Sequence, residues 1–266
     1  MNDNHQPYAL ITGAGIGIGR ALAIECANRN MNLALIDLPG SGLEKTIRHL
    51  KKNFHVDIQY LEIDLTTPHS AEKIYTWTKE QNITVNMLIN NAGKGHLGCF
   101  TDFDHTFYEK LVRLNVEAVV LLTRLFLPEM KRLKRAYILN LGSIASFYPI
   151  PYKIVYAGSK SFIYSFSRAL KQELKQSSVT VSVLCPGPII TNQEVIQRIR
   201  QSGFWGRRSS MRPGRMARIA VSQMLQGKAV IIPGELNKLF RFASMLVPTR
   251  IKQGLLAKKF NVNEKI

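Results

Sequence analysis

The sequence predicts one doubly wound α/β domain, a parallel sheet with helices on both faces, and three observations carry that prediction. Short apolar runs alternate with amphipathic stretches along the chain. A glycine-rich turn, Thr-Gly-Ala-Gly-Ile-Gly-Ile-Gly over residues 12–19, separates the first run from the first amphipathic stretch. Asp37 closes the second run, eighteen residues beyond Gly19. Such regular alternation implies βαβ units with right-handed crossovers.

Taken in order, YALIT (8–12), NLALID (32–37), IQYLEID (58–64), MLINNA (87–92), AYILNLGS (136–143) and TVSVLCPG (180–187) read as strands, mostly buried on both faces, and AVIIPG (229–234) as a seventh. Segments such as 17–30, 70–81, 104–133 and 152–177 carry apolar residues at helical spacing. No repeat or linker interrupts the pattern. The expected organisation is one domain over 1–234, with a lid at 191–218, and a basic amphipathic extension over 235–266.

Composition narrows the class. Apolar residues make up 45% of the chain and its mean hydropathy is −0.05, as for a soluble globular protein. The polar opening MNDNHQP runs straight into the first strand, and Arg124 splits the longest apolar candidate, so neither a targeting nor a spanning segment is expected. Cys26, Cys99 and Cys185 are odd in number and far apart, and the histidines lack ligand spacing. No disulfide framework and no metal site is expected, and the compartment is read as cytoplasmic. The formal net charge of +18 is concentrated at one end. Residues 195–266 hold fifteen Lys or Arg against Glu235 and Glu264, a net +13. That end invites an anionic partner.

The turn at Thr12, Gly13, Gly17, Ile18 and Gly19 lets the backbone approach a pyrophosphate, whose charge lies against the following helix N-terminus. Ile18 stands where a third glycine of G-x-G-x-x-G would be, so the turn alone is weak evidence. Its place between strand and helix favours a dinucleotide over a plain tight turn. Asp37 can accept hydrogen bonds from ribose hydroxyls and would repel a 2′-phosphate. NAD(H) is therefore preferred, with NADP(H) left open if Arg20 or Lys45 reaches the phosphate.

Tyr156 and Lys160 fall at i, i+4 on one predicted helix face. An ammonium one turn from a phenol favours the phenolate and draws its pKa down from about 10. Ser143 closes the fifth strand, at the carboxyl end of the sheet where open α/β folds bind ligands.

With the Thr12–Gly19 turn, Asp64, Asn90-Asn91-Ala92-Gly93, Asn115, Ser143, Tyr156/Lys160 and Pro186-Gly187 following one another in that order, the sequence resembles the short-chain dehydrogenase/reductase family over roughly residues 8–234. The resemblance implies a Rossmann-like fold, an oxidoreductase interconverting a carbonyl and an alcohol, and a homodimer or homotetramer. Tyr156 would be the general acid/base, Ser143 would bind the substrate oxygen, Lys160 would hold the nicotinamide ribose, and Asn115 would support a proton relay. Asp64 and Leu65 would meet the adenine, with Asn91, Ala92 and Gly93 behind the adenosine. Pro186, Gly187, Ile189 and Thr191 would line the nicotinamide.

Around the site, 192–220 carries seven arginines with Phe204 and Trp205 at its tip. A solvated basic loop accounts for most of this, and a cover for an apolar substrate or a foot on a membrane would use the aromatics. Met87 and Trp77 read as packing residues, and His96 and His105 as core or surface groups. The tail 236–260 is basic and amphipathic. Contact with an anionic membrane, cover over the cleft and a dimer contact all fit that pattern. An apolar, lipid-like substrate is the expectation. A redox sensor with little turnover is the alternative, disfavoured by the presence of Asn115, Ser143, Tyr156 and Lys160 together, and no nucleic-acid motif accompanies the charge.

Overall fold

The computed structural model describes residues 6–190, Gln197, 208–246, Ile251 and 254–256. Its seven strands are β1 (Tyr8–Thr12), β2 (Asn32–Asp37), β3 (Ile58–Glu62), β4 (Val85–Asn90), β5 (Ala136–Leu141), β6 (Val179–Leu184) and β7 (Val230–Ile231). They form one parallel sheet in the order β3-β2-β1-β4-β5-β6-β7. The order reverses between β1 and β4, so a crevice opens at their carboxyl ends, between Gly13 and Asn91.

Helices α1 (Gly17–Ala27), α2 (Leu43–Asn53) and α7 (Pro213–Leu225) cover one face with Leu22, Cys26, Leu43, Leu50 and Val221. Helices α3 (Ser70–Glu80), α5 (Ala118–Met130) and α6 (Ile154–Glu173) cover the other, through residues that include Ile74, Leu122, Phe126 and Leu174 just past α6. Met87 is buried and Trp77 packs against the core, as expected. Beneath the site, Asn90 and Asn140 are register partners on β4 and β5. Asn90 Nδ2 donates to Asn140 Oδ1 at 2.8 Å, and Asn140 Nδ2 donates to Ser167 Oγ of α6 at 2.9 Å.

Four expectations need correction. Strand β3 is an edge, and Tyr60 and Glu62 on it are exposed, so it is not buried on both faces. The segment 104–133 is not one helix: Asp104 caps α4 (His105–Val112), a π-helical turn follows at Arg113–Glu117, and α5 then begins. The segment expected as lid is not all loop up to 218, because 213–218 open α7, whose buried stripe of Met216, Ala217, Ala220, Val221 and Met224 packs on the core while Gly214, Arg215 and Arg218 face outward. The extension does not start as a separate appendage, because α8 (Glu235–Leu246) buries Asn237 against the domain.

The glycine turn is constrained at Gly19, where an added Cβ would fall on the Gly13 carbonyl oxygen, a backbone atom that cannot rotate away. Gly40 has open space around it and only a positive φ of 73°. Gly19→Ala is expected to cost roughly 2–3 kcal/mol or more, and Gly40→Ala about 1 kcal/mol. Urea unfolding checks the contrast, and equal costs at the two positions would contradict it.

Candidate active site

The turn after β1 is tied to the end of β4. Thr12 Oγ1 accepts from Asn91 N (3.1 Å) and Ala92 N (3.0 Å), while Asn91 Nδ2 donates to the carbonyls of Thr12 (2.9 Å) and Gly13 (3.0 Å). Thr12 and Asn91 thus hold the crevice walls at a fixed separation. Gly13 and Gly17 adopt φ of 68° and 58°, the left-handed region glycine enters without strain. Ile18 is half-buried and packs against the core behind the turn.

Asp37 stands at the mouth of this turn, where Oδ2 accepts from Gly15 N at 2.5 Å and Oδ1 from Leu38 N at 2.7 Å. Gly15 was missed by sequence reasoning. A Cβ there would lie 2.8 Å from Asp37 Oδ2, so the glycine lets the carboxylate close onto the turn. The spacing to Asp37 could have pointed to it. Asp64 uses Oδ1 to accept from Thr66 N and Oγ1, both at 2.8 Å, and Leu65 beside it is buried.

At the other end of the crevice, Ser143 follows β5 and caps the short 3-10 turn Ile144–Phe147, its Oγ accepting from Ala145 N at 3.1 Å. The same hydroxyl is hydrogen-bonded to Tyr156. Lys160, 4% exposed, donates from Nζ to the Leu141 carbonyl at 2.7 Å and lies 6.0 Å from the Tyr156 ring centre. Gly93 completes the enclosure, since a Cβ there would lie 3.1 Å from Asn115 Oδ1 and 3.3 Å from Lys160 Nζ.

Asn115 is fully buried within the π-helical turn. Its Oδ1 accepts from Lys94 N (2.9 Å), and its Nδ2 donates to Lys94 O (2.9 Å) and Ser159 Oγ (3.1 Å). Its side chain thereby anchors the loop after Gly93. Pro186 accepts at its carbonyl from Ile144 N (3.1 Å), and Ile189 is buried, bridging to Met211. Thr191 lies outside the described residues, as do Phe204 and Trp205. His96 packs edge-on against Phe103, Phe107 and Tyr108, and burial pushes its imidazole below the ordinary range.

The electrostatics differ from the expectation. Burial raises the Tyr156 phenol above its ordinary 10.0, partly offset by the Ser143 hydrogen bond. Burial also pushes Lys160 down to about 8. The lysine therefore does not lower the phenol by itself, because desolvation penalises the charged form of both groups. Cys185, another residue missed by sequence reasoning, lies buried beneath Ser143, Ser146 and Lys160, its thiol pushed up to about 12.

Residues 7–200 match the short chain dehydrogenase family. The chain belongs to that family. Among relatives of this short-chain dehydrogenase, the very-long-chain 3-oxoacyl-CoA reductase of Kluyveromyces lactis is 33% identical over 201 residues, covering 72% of this chain and 57% of that one. The 17-beta-hydroxysteroid dehydrogenase type 3 of Homo sapiens is 31% identical over 188 residues, covering 69% and 59%. The chain thus spans less than two thirds of the length of either relative. A short-chain dehydrogenase from Sphingobium yanoikuyae, solved with NADPH, superposes with a TM-score of 0.76 at 27% identity, covering 94% of this chain and 95% of its own.

Tyr156→Phe keeps the ring and removes the transferable proton. Turnover of the best carbonyl substrate is expected to fall at least about 100-fold, while NADH affinity, measured by fluorescence titration, stays within twofold. Near-normal turnover would remove Tyr156 from the chemistry.

Proposed function

We propose that this short-chain dehydrogenase is an NAD(P)(H)-dependent oxidoreductase that interconverts a ketone and a secondary alcohol on a lipid-like substrate. The observation that carries the reading is the Ser143–Tyr156 hydrogen bond at the carboxyl edge of the sheet, with the Lys160 amine one helical turn away. The glycine turn, with its close approach of Gly13 to Asn91 and Ala92, fits a dinucleotide pyrophosphate. Asp37 would take the adenosine ribose, Asp64 and Leu65 the adenine, and Gly187 and Ile189 the nicotinamide side. A bound nicotinamide supplies or accepts the hydride. Ser143 Oγ and Tyr156 Oη orient the carbonyl oxygen and donate to it as negative charge develops, and the Tyr156 hydroxyl gives up its proton to the forming alcohol. The raised phenol pKa keeps that proton in place until the oxygen becomes basic.

An apolar substrate is supported by a groove of about 820 Å³ lined by Phe147, Tyr148, Pro149, Ile150, Ile154 and Ala157 among others. Ile150 and Ala157 also belong to the cluster against which Tyr156 and Leu256 pack. Relatives named for very-long-chain 3-oxoacyl-CoA and hydroxysteroid substrates support the same reading. A 3-oxoacyl thioester and a steroid ketone are each expected to exceed a four-carbon ketone at least tenfold in kcat/KM. Preference for the small ketone would refute the substrate class. Asp37 favours NADH, and a higher kcat/KM with NADPH would overturn that choice while leaving the chemistry intact.

The partner readings rest on surface character. On α8, Leu239 and Phe242 are 60% and 66% exposed, next to a chain end of net +13, which supports reversible contact with an anionic membrane surface. Among the described residues no helix is long and apolar enough to cross a membrane. Exposed Phe162 stacks on Phe166 along α6, ring centres 6.0 Å apart, a face suited to a second copy of the chain. Salt-sensitive co-sedimentation with phosphatidylserine vesicles is expected, and it should weaken in the Leu239→Asp/Phe242→Asp double variant. Equal pelleting of the two proteins would refute the membrane reading.

A further inference from the structure

Helix α8 lies beyond the residues that match the family, yet two side chains on its inner face reach the active site from behind. Asn237 and Arg241 are i, i+4 neighbours. Asn237 is 3% exposed, and its Nδ2 donates to the carbonyls of Pro233 (2.8 Å) and Ser209 (3.2 Å). Its amide lies directly against the Gly187 backbone, where an added Cβ would stand 2.6 Å from Oδ1. One buried side chain thus touches the loop after β6, the segment preceding α7 and the segment after β7.

Arg241 works one turn further along. Its guanidinium lies over the Phe147 ring, 4.4 Å from the centre, and Nη2 donates to Tyr164 Oη at 2.9 Å. Phe147 ends the 3-10 turn that Ser143 caps, and its ring packs edge-on against Tyr164 at 5.0 Å. The cation also acts electrostatically on Cys185, beneath Ser143. The two supported segments are themselves joined by the Ile144 N–H to Pro186 carbonyl bond.

We propose that Asn237 and Arg241 are positioning residues, through which α8 fixes the serine turn and the Pro186–Gly187 loop as one unit. Arg241 acts on Ser143 through Phe147, and Asn237 acts on the nicotinamide side through Gly187. This assignment rests on the reading of Ser143 and Gly187 as parts of an oxidoreductase site. Stacking on an aromatic face suits a planar guanidinium better than an ammonium. The buried amide of Asn237 satisfies two carbonyls that an aliphatic replacement would leave unpaired.

The test compares Arg241→Met, Phe147→Leu, their double variant and Asn237→Ala as full-length proteins. Arg241→Met is expected to lower kcat about tenfold, with the Kd for NADH within twofold of normal. The double variant should fall well short of the product of the two single effects, because the Arg241–Phe147 contact is already lost in each single variant. Asn237→Ala should raise the NADH Kd about fivefold with a smaller change in kcat. Independent of turnover, loosening of the turn over Cys185 in cofactor-free Arg241→Met should make that thiol react with a thiol reagent at least tenfold faster than in the native protein, although loss of the Arg241 charge acts the opposite way, with buried Cys26 unchanged as an internal control. Peptide mapping reads that ratio. Unchanged Cys185 labelling, or Arg241 and Phe147 effects that multiply, would overturn the proposal. If Asn237→Ala does not fold, the Arg241–Phe147 cycle decides alone. If Tyr156→Phe retains turnover, the proposed chemistry fails while the labelling still decides the clamp.

Discussion

The burial of one ammonium group governs the rest of this site. Lys160 enters the protein from α6 and meets the Leu141 carbonyl at the end of β5, which locks the helix carrying Tyr156 to the strand that leads to Ser143. A buried cation is tolerated only where its neighbours make room and supply acceptors. Gly93 makes that room by lacking a side chain, and Asn115 holds the adjoining loop through both backbone groups of Lys94. Ser146 braces the same helix turn by donating to the Lys160 carbonyl at 2.8 Å.

This arrangement changes the role assigned to the lysine. A lysine one turn from a tyrosine, considered as an exposed pair, would pull the phenol toward ionisation. Inside the protein the dominant influence on each group is loss of water, which favours a protonated phenol and a less basic amine. A protonated Tyr156, hydrogen-bonded to Ser143, is already in the state a proton donor needs. A lysine near 8 still carries most of its charge at neutral pH, and that charge is available to sugar hydroxyls at the crevice.

Much of this was legible in the sequence wherever a local pattern carries the information. The alternation of runs gave the sheet, and the Gly13–Gly19 turn, Asp37, Ser143, Tyr156 and Lys160 all announce themselves by spacing around strand ends. Features that depend on distant partners were not legible. No glycine or proline falls between 105 and 127, so nothing in the residues announces the π-helical turn at Asn115 that separates α4 from α5. The exposed alternation of β3 follows from its place at the sheet edge, which topology decides. Asn237 is an ordinary polar residue in a basic tail until the fold brings the Pro233 and Ser209 carbonyls to it. Arg241 likewise gains meaning only against Phe147. The tail's net charge drew attention to its outer face, whereas the inner face of α8 packs against the turn that Ser143 caps and the loop at Gly187.

The most direct test of a site built on a buried cation is the pH dependence of stability, comparing the native protein with Lys160→Met. Other titrating groups are common to both and cancel in the difference. The folded-state pKa of Lys160 lies near 8 against an ordinary 10.5, so between those values the unfolded chain binds the extra proton. The burial penalty is therefore full below pH 8 and fades as the pH rises toward 10.5. The stability of the native protein relative to Lys160→Met should rise across that window by about 1.4 kcal/mol per pH unit. A difference that stays flat from pH 7 to about pH 10.5 would mean that Lys160 is hydrated in solution, and would contradict the account.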